Sequence, residues 1–335
     1  MDSTRVVALS QDMPFSQTLM DRLYAAIEPD TIIPFDPKDR GSRSAALRDA
    51  EIAIIAGDTL EDDVLEAPKL RWVHCDHAGL NRSARPEVFA KGLIVTGAAG
   101  RSAPALAEHA MMFCLVLSSG FTLFQDAQRR HEWFRGPELD QLGALYGKTM
   151  GIVGLGHTGC ELAKRAKAFG MTVLGYRRRR AERPPGVDVV FCADEGQGIY
   201  ELLEKSDCVV LAITLSDATH HLINAEAFAR MKPSAFIINL ARGEVIDRDA
   251  LIAALETKQI AGAGLDVTDP EPLPVGDQLW DTPGVLITPH FSAPVADRRD
   301  RSVDIIIENL ARYKAGQDLI NGLTPEDIWT PDNRG

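Results

Sequence analysis

Short runs of aliphatic and β-branched residues alternate with longer amphipathic runs along most of the chain. In the first third these are Arg5 to Leu9, Ser16 to Ile27, Ile52 to Ala56, Arg71 to Cys75 and Leu93 to Thr96, a strand-and-helix rhythm that predicts βα units. From Ala103 to Ser119 (APALAEHAMMFCLVLSS) the pattern is helical and apolar on nearly every side, and it ends at Gly120. That predicts a crossover helix buried between domains or against another subunit. The alternation then resumes: strand Thr149 to Val153, helix His157 to Phe169, and strands Thr172 to Tyr176, Cys208 to Ile213, Ala235 to Asn239, Ala261 to Leu265 and Val285 to Thr288. Several are continuous Val/Ile/Leu runs, as in strands covered by helices on both faces. A last helix, Val295 to Ala315, places Val303, Ile306, Ile307, Leu310 and Tyr313 on one face for packing.

A length of 335 residues suits two domains, and 45% hydrophobic with 25% charged residues is the balance of a soluble globular protein rather than a disordered one. The formal charge of −12 argues against nucleic acid and anionic membrane surfaces as partners. Cys75, Cys114, Cys160, Cys192 and Cys208 are odd in number and include no Cys-x-x-Cys pair, which predicts free thiols, no metal centre and a reducing, cytoplasmic setting. The stretch MDSTRVVALSQDM lacks the basic and apolar regions of a secretory signal, and the apolar segment Ala110 to Leu117 falls short of the roughly 20 residues needed to span a bilayer.

Chemistry concentrates in a few segments. Strand 149–153 runs directly into Gly154-Leu155-Gly156-His157-Thr158-Gly159 and then a helix. In that context Gly154 permits a tight turn, Gly156 lets backbone approach a pyrophosphate, and Gly159 allows close helix–strand packing, with the helix N-terminus offering N–H donors. The context favours a dinucleotide over a plain glycine-rich turn or a nucleoside-binding methyltransferase. The next strand runs into Arg177 and Arg178, where an NAD site normally has Asp or Glu for the ribose hydroxyls. Guanidinium groups there suit a 2′-phosphate, so NADP(H) is the expected cofactor, with NAD as the alternative.

Hydride transfer from a dinucleotide to a carbonyl requires, besides the hydride donor, a proton donor for the developing alkoxide and a cation to hold the carbonyl. His290 can give the proton, Glu271 can orient its ring and favour the charged form, and Arg242 supplies the planar fork. Each residue taken singly has an ordinary structural reading. Together, after a dinucleotide fingerprint, they form a catalytic set.

The segments Asn239-Leu-Ala241-Arg242-Gly243, Leu265-Asp266-Val267-Thr-Asp-Pro-Glu271-Pro272, Ile287-Thr-Pro289-His290, Ala107-Glu108-His109 and Tyr146-Gly-Lys-Thr-Met-Gly resemble, in order and spacing, the D-isomer-specific 2-hydroxyacid dehydrogenases. The resemblance covers about Leu70 to Gly316. It implies a Rossmann-type doubly wound parallel-sheet cofactor domain (99–291) and a smaller flavodoxin-like α/β substrate domain (1–98 with 292–335), with a cleft between them. It implies the same roles for Arg242, Glu271 and His290. It places Asp266 at the nicotinamide carboxamide, Thr214 and Ala241 at the cofactor rim, and the N–H groups of Ala78 and Gly79 on the substrate carboxylate beside Arg242 and His290. The expected activity is NAD(P)H-dependent reduction of a 2-oxo acid such as glyoxylate or hydroxypyruvate in a homodimer. The alternatives are a dinucleotide-sensing corepressor-like protein and a formate- or phosphite-type dehydrogenase.

The chain departs from the family pattern at Thr214-Leu215-Ser216, at Arg101-Ser102 and at Phe291-Ser292-Ala293-Pro294. Trp133 and Trp280 border either the substrate or a subunit interface, or are buried packing residues.

Overall fold

A computed structural model describes residues 4–291 and 295–330. Contacts within the chain divide it into two units, Met1–Ser102 with Val295–Gly335, and Ala103–Pro294.

In the first unit, β1 (Val6–Ser10), α1 (Gln17–Ile27), β2 (Thr31–Phe35), α2 (Arg40–Leu47), β3 (Ile52–Ile55), α3 (Asp62–Glu66), β4 (Trp72–Cys75), α4 (Pro86–Ala90) and β5 (Ile94–Gly97) alternate regularly. The five strands are parallel in the order β2-β1-β3-β4-β5, the flavodoxin-like order. β2 is missing from the hydrophobic pattern because Pro34 interrupts it; the strand tolerates proline because it lies at the sheet edge. One face of the sheet buries Ala8, Ala53, Val73 and Val95, and the other buries Val7, Leu9, Ile52 and Trp72.

The second unit begins with α5 (Ala103–Ser119) and α6 (Phe121–Arg129), joined by Gly120 in the left-handed region at φ 63°. It continues with β6 (Thr149–Val153), α7 (His157–Ala168), β7 (Thr172–Arg177), β8 (Val189–Cys192), α8 (Tyr200–Lys205), β9 (Cys208–Leu211), α9 (Ala225–Arg230), β10 (Phe236–Asn239), α10 (Arg248–Glu256), β11 (Gly262–Leu265) and β12 (Val285–Ile287). The seven strands are all parallel, in the order β12-β11-β10-β9-β6-β7-β8, which is the doubly wound dinucleotide-fold order with one more strand. β8, absent from the sequence reading, is a short edge strand behind an Arg/Pro-rich stretch.

Only part of α5 is covered as its composition predicts. Ala107, Ala110, Phe113 and Cys114 enter the core with Ile152, Leu162, Val210 and Ile238, whereas Met112 and Leu115 on α5 and Phe121, Leu123 and Phe124 on α6 are exposed. Trp133 and Trp280 are 86% and 50% exposed, so neither is buried packing.

The chain returns to the first unit in α11 (Arg298–Lys314), three residues shorter at its start than the hydrophobic pattern predicts. Val303, Ile306 and Leu310 are buried, and Tyr313 stacks on the buried Trp72 ring at 5.3 Å. Lys314 Nζ donates to the carbonyls of Ala26, Ile27 and Glu28 at the end of α1, satisfying helix-end acceptors. Among the described residues all five cysteines are free, with Cys114 and Cys208 sulfurs 2.8 Å apart in the core. Among the described residues no single helix is long and apolar enough to cross a membrane; α5 and α6 together reach that length, bent by 66°.

Candidate active site

The turn from β6 into α7 has the geometry that its glycines dictate. Gly154 has φ +107°, a value costly for any side chain, and a Cβ there would lie 2.3 Å from the Ala212 carbonyl oxygen. A Cβ on Gly159 would lie 2.0 Å from the Gly154 oxygen, so α7 can sit this close to the turn only with glycine. Gly156, in contrast, faces open space and occupies the N-cap with no side-chain bond to the helix. Leu155 is half-buried, His157 exposed and Thr158 half-buried at the start of α7, whose first N–H groups have no intrahelical partner. An uncapped helix start over an open cradle fits the pyrophosphate of a dinucleotide.

Arg177 is the last residue of β7. Its Nη2 donates to the Glu182 carbonyl at 3.0 Å, and its buried Nε has no partner. It stands close enough to Cys160 on the first turn of α7 to oppose the upward push of burial on that thiol. Arg178 is exposed. Thr214, past the end of β9, is also exposed, and its carbonyl accepts from Thr219 Oγ1. Ala241 is buried, with its N–H committed to Asn239 Oδ1 and its carbonyl to Arg242 Nη1.

The ends of β10, β11 and β12 carry the ionisable set. Asn239 clamps the turn after β10: its Oδ1 accepts from Ala241 N and its Nδ2 donates to the Arg242 carbonyl at 2.8 Å. Gly243 then runs against the next loop so closely that a Cβ would meet Thr268 backbone at 2.1 Å, setting Arg242 beside the segment that bears Glu271. Glu244 senses both: burial raises its carboxyl, Asp269 and Glu271 add to the rise, and Arg242 opposes it.

His290 follows β12 with φ +49°. Its backbone N–H is held by the carbonyls of Asp266 at 2.7 Å and Thr288 at 3.0 Å. Its Nδ1 lies 2.5 Å from Glu271 Oε1, with the two side chains 44% and 36% exposed. A carboxylate can only accept, so Nδ1 carries the proton and Nε2 is the nitrogen left for chemistry.

Asp266 is buried and turns Oδ1 toward its own chain. It accepts from Thr288 Oγ1 at 2.6 Å and from Phe291 N at 3.0 Å. His109 Nε2 lies 2.9 Å from Thr288 Oγ1, and since the hydroxyl proton is committed to Asp266, His109 is the donor. His109, Thr288 and Asp266 thus form a chain that fixes both neighbours of Pro289-His290. Sequence reasoning placed His109 in a motif without a role and missed Thr288 and Asn239; a hydroxyl two residues before the proton donor was the available signal. Ser292, Ala293 and Pro294 lie outside the described residues.

In the other unit, Ala78 and Gly79 follow β4 in a turn braced by His77, whose Nδ1 donates to the Gly79 carbonyl at 2.6 Å. Among the described residues neither the Ala78 nor the Gly79 N–H has a partner.

Residues 111–292 match the family model of the D-isomer specific 2-hydroxyacid dehydrogenase NAD binding domain. The chain is 34% identical to the glyoxylate reductase of Pyrococcus furiosus over 278 residues, 80% of each protein, and 34% identical to that of Korarchaeum cryptofilum over 275 residues, again 80% of each. A D-isomer specific 2-hydroxyacid dehydrogenase from Xanthobacter autotrophicus, solved in complex with NADPH, superposes with a TM-score of 0.79 at 27% identity, covering 96% of this chain and 99% of that one. The NADPH-dependent glyoxylate/hydroxypyruvate reductase of Sinorhizobium meliloti shares the fold, with a TM-score of 0.71 at 22% identity over 98% of this chain and 99% of its own.

Proposed function

Because the chain belongs to the D-isomer-specific 2-hydroxyacid dehydrogenases, an NAD(P)-dependent oxidoreductase family, we propose that it reduces a small 2-oxo acid of the glyoxylate or hydroxypyruvate type to the D-2-hydroxy acid. NADPH is the preferred cofactor and NADH the weaker one. The observation that carries this reading is the 2.5 Å contact from His290 Nδ1 to Glu271 Oε1, which leaves Nε2 as the proton-bearing face of an oriented imidazole.

When bound, the nicotinamide cofactor supplies the hydride; every other requirement falls to the protein. Gly154 to Gly159 and the start of α7 would hold the pyrophosphate, Arg177 with Arg178 would hold the 2′-phosphate, and Thr214, Ala241 and Asp266 would border the nicotinamide half. Arg242 polarises the carbonyl and binds the carboxylate, while the Ala78 and Gly79 N–H groups grip that carboxylate too. His290 Nε2 donates its proton to the developing alkoxide, and Glu271 stabilises the charge on the ring and keeps its orientation.

The exposed apolar residues of α5 and α6, together with Trp133, form a surface suited to a second copy of the chain, and an isologous homodimer is the simplest way to cover it. The setting is cytoplasmic, in keeping with five free cysteines. The direct test is oxidation of NADPH by the purified protein on addition of glyoxylate or hydroxypyruvate. Steady turnover supports the proposal, and its absence with both acids and both cofactors contradicts it.

A further inference from the structure

The first unit contains a cleft of about 350 Å³ lined by Pro14, Ala56, Asp76, His77, Arg101, Arg298, Arg299 and Ser302. Its walls are the segments that follow β1, β3, β4 and β5, together with the first turns of α11. In the strand order β2-β1-β3-β4-β5 the chain reverses direction across the sheet between β1 and β3, and ligands of such sheets bind outside the carboxyl ends of the strands at that place.

The cleft is cationic by construction. Arg101 is 5% exposed, and its Nη1 alone meets the protein's needs, donating to Asp76 Oδ1 at 2.6 Å, Asp76 O at 2.9 Å and Ser302 Oγ at 3.0 Å. Its Nε is buried without a partner, and among the described residues Nη2 makes no bond either. Arg298 and Arg299 stand at the start of a 17-residue helix whose N-cap, Asp297, makes no side-chain bond to it. Burial, followed by the nearby Arg101 charge, pulls the Arg298 guanidinium downward, with Asp76 opposing. Three guanidinium groups therefore face one carboxylate, Asp76, which Arg101 and Ser302 already occupy.

His77, on the wall of this cleft, immediately precedes the Ala78–Gly79 turn assigned above to the substrate carboxylate. We infer that Arg101, Arg298 and Arg299 bind a second anionic group, a carboxylate or phosphate at the far end of the substrate, so that the preferred 2-oxo acids are dianions. This rests on the reduction proposed above. A glyoxylate-sized substrate would leave the cleft to water; a chain of two to three carbons beyond the carbonyl, ending in an anion, would use it.

The test has two arms. In the kinetic arm kcat/KM is compared within pairs of equal chain length: 2-oxoglutarate against 2-oxopentanoate, oxaloacetate against 2-oxobutyrate, and 3-phosphohydroxypyruvate against hydroxypyruvate. The dianion is expected to lead by tenfold or more, and the pair with the larger ratio identifies carboxylate or phosphate as the group bound. Arg299→Gln and Arg298→Gln, at exposed positions, should each reduce that ratio at least threefold, and Arg101→Gln should collapse it. In the binding arm, which needs no turnover, glutarate should raise the thermal unfolding temperature of the protein where butyrate does not, and Arg298→Gln with Arg299→Gln should abolish the effect. If no 2-oxo acid is reduced but glutarate binds through these arginines, the catalytic reading fails and the anion site stands. Ratios near one in every pair, or glutarate stabilisation that survives loss of both helix arginines, would overturn the anion site.

Discussion

Thr288 donates its hydroxyl to the buried carboxylate of Asp266 at 2.6 Å, and the same oxygen accepts the Phe291 N–H at 3.0 Å, so the two residues hold the chain on either side of Pro289-His290. Thr288→Val keeps the shape but removes the donor to Asp266 and the acceptor for His109. An unsatisfied buried partner costs about 1 to 3 kcal/mol, so stability to urea should fall by that order. kcat should fall several-fold as His290 loses its fixed position, with KM little changed, and Thr288→Ser should restore both. Equal kcat for Val and Thr would show that this chain of bonds does not position the histidine.

Glu271→Gln preserves a hydrogen-bond acceptor for His290 Nδ1 but removes the negative charge 2.5 Å away. Loss of that charge should lower kcat by about tenfold or more, within the range that general acid–base assistance covers, and Glu271→Leu should lower it further. Cofactor affinity measured by NADPH fluorescence should remain near that of the unmodified protein. A kcat unaffected by both changes would remove Glu271 from the mechanism.

Cofactor choice turns on the end of β7. If Arg177 and Arg178 hold the 2′-phosphate, charge-assisted hydrogen bonds worth about 1.5 to 3 kcal/mol each should favour NADPH over NADH by at least tenfold in kcat/KM. Arg177→Asp should reverse the preference, since a carboxylate repels the phosphate and accepts from free ribose hydroxyls. Equal values for the two cofactors in the unmodified protein would mean that the arginine run is a solvated turn.

His74 gives the fold a pH dependence of its own. Complete burial, aided by the Arg101 charge, pulls its imidazole from 6.5 down to about 3. Its Nδ1 meets Thr96 Oγ1 at 3.0 Å, and that oxygen also accepts from Trp72 Nε1. Between these two values the unfolded chain binds a proton that the folded chain does not. Stability is therefore fully present above pH 6.5 and declines as pH falls toward 3, by up to about 1.4 kcal/mol per pH unit from this group. Urea unfolding of His74→Asn should show a correspondingly shallower decline over that range; an identical slope would mean that His74 titrates freely when folded.

Both parallel sheets and the long helices were legible in the hydrophobic pattern because central strands are covered on both faces and read as unbroken apolar runs. β2 and β8 were not, because Pro34 breaks the run of β2 and a basic stretch precedes β8, departures that an edge strand with one partner tolerates, whereas the edge strands β5 and β12 keep legible apolar runs. The Gly154–Gly159 turn was readable because its geometry leaves glycine as the one residue that fits at positions 154 and 159. The Asp266, Thr288 and His109 chain was not, because it joins residues up to 179 positions apart through bonds that no local spacing announces. Trp133 and Trp280 show the limit of residue-type expectation: their type allowed packing, a substrate border or a subunit interface, and their 86% and 50% exposure removes the first.

The central claim is that His290 delivers the proton in reduction of a 2-oxo acid. The most direct measurement is kcat for NADPH oxidation by glyoxylate in His290→Gln, with NADPH affinity measured in parallel. The account predicts a loss of about 10² to 10⁴-fold in kcat with cofactor affinity nearly unchanged. A variant that turns over at close to the unmodified rate would contradict it.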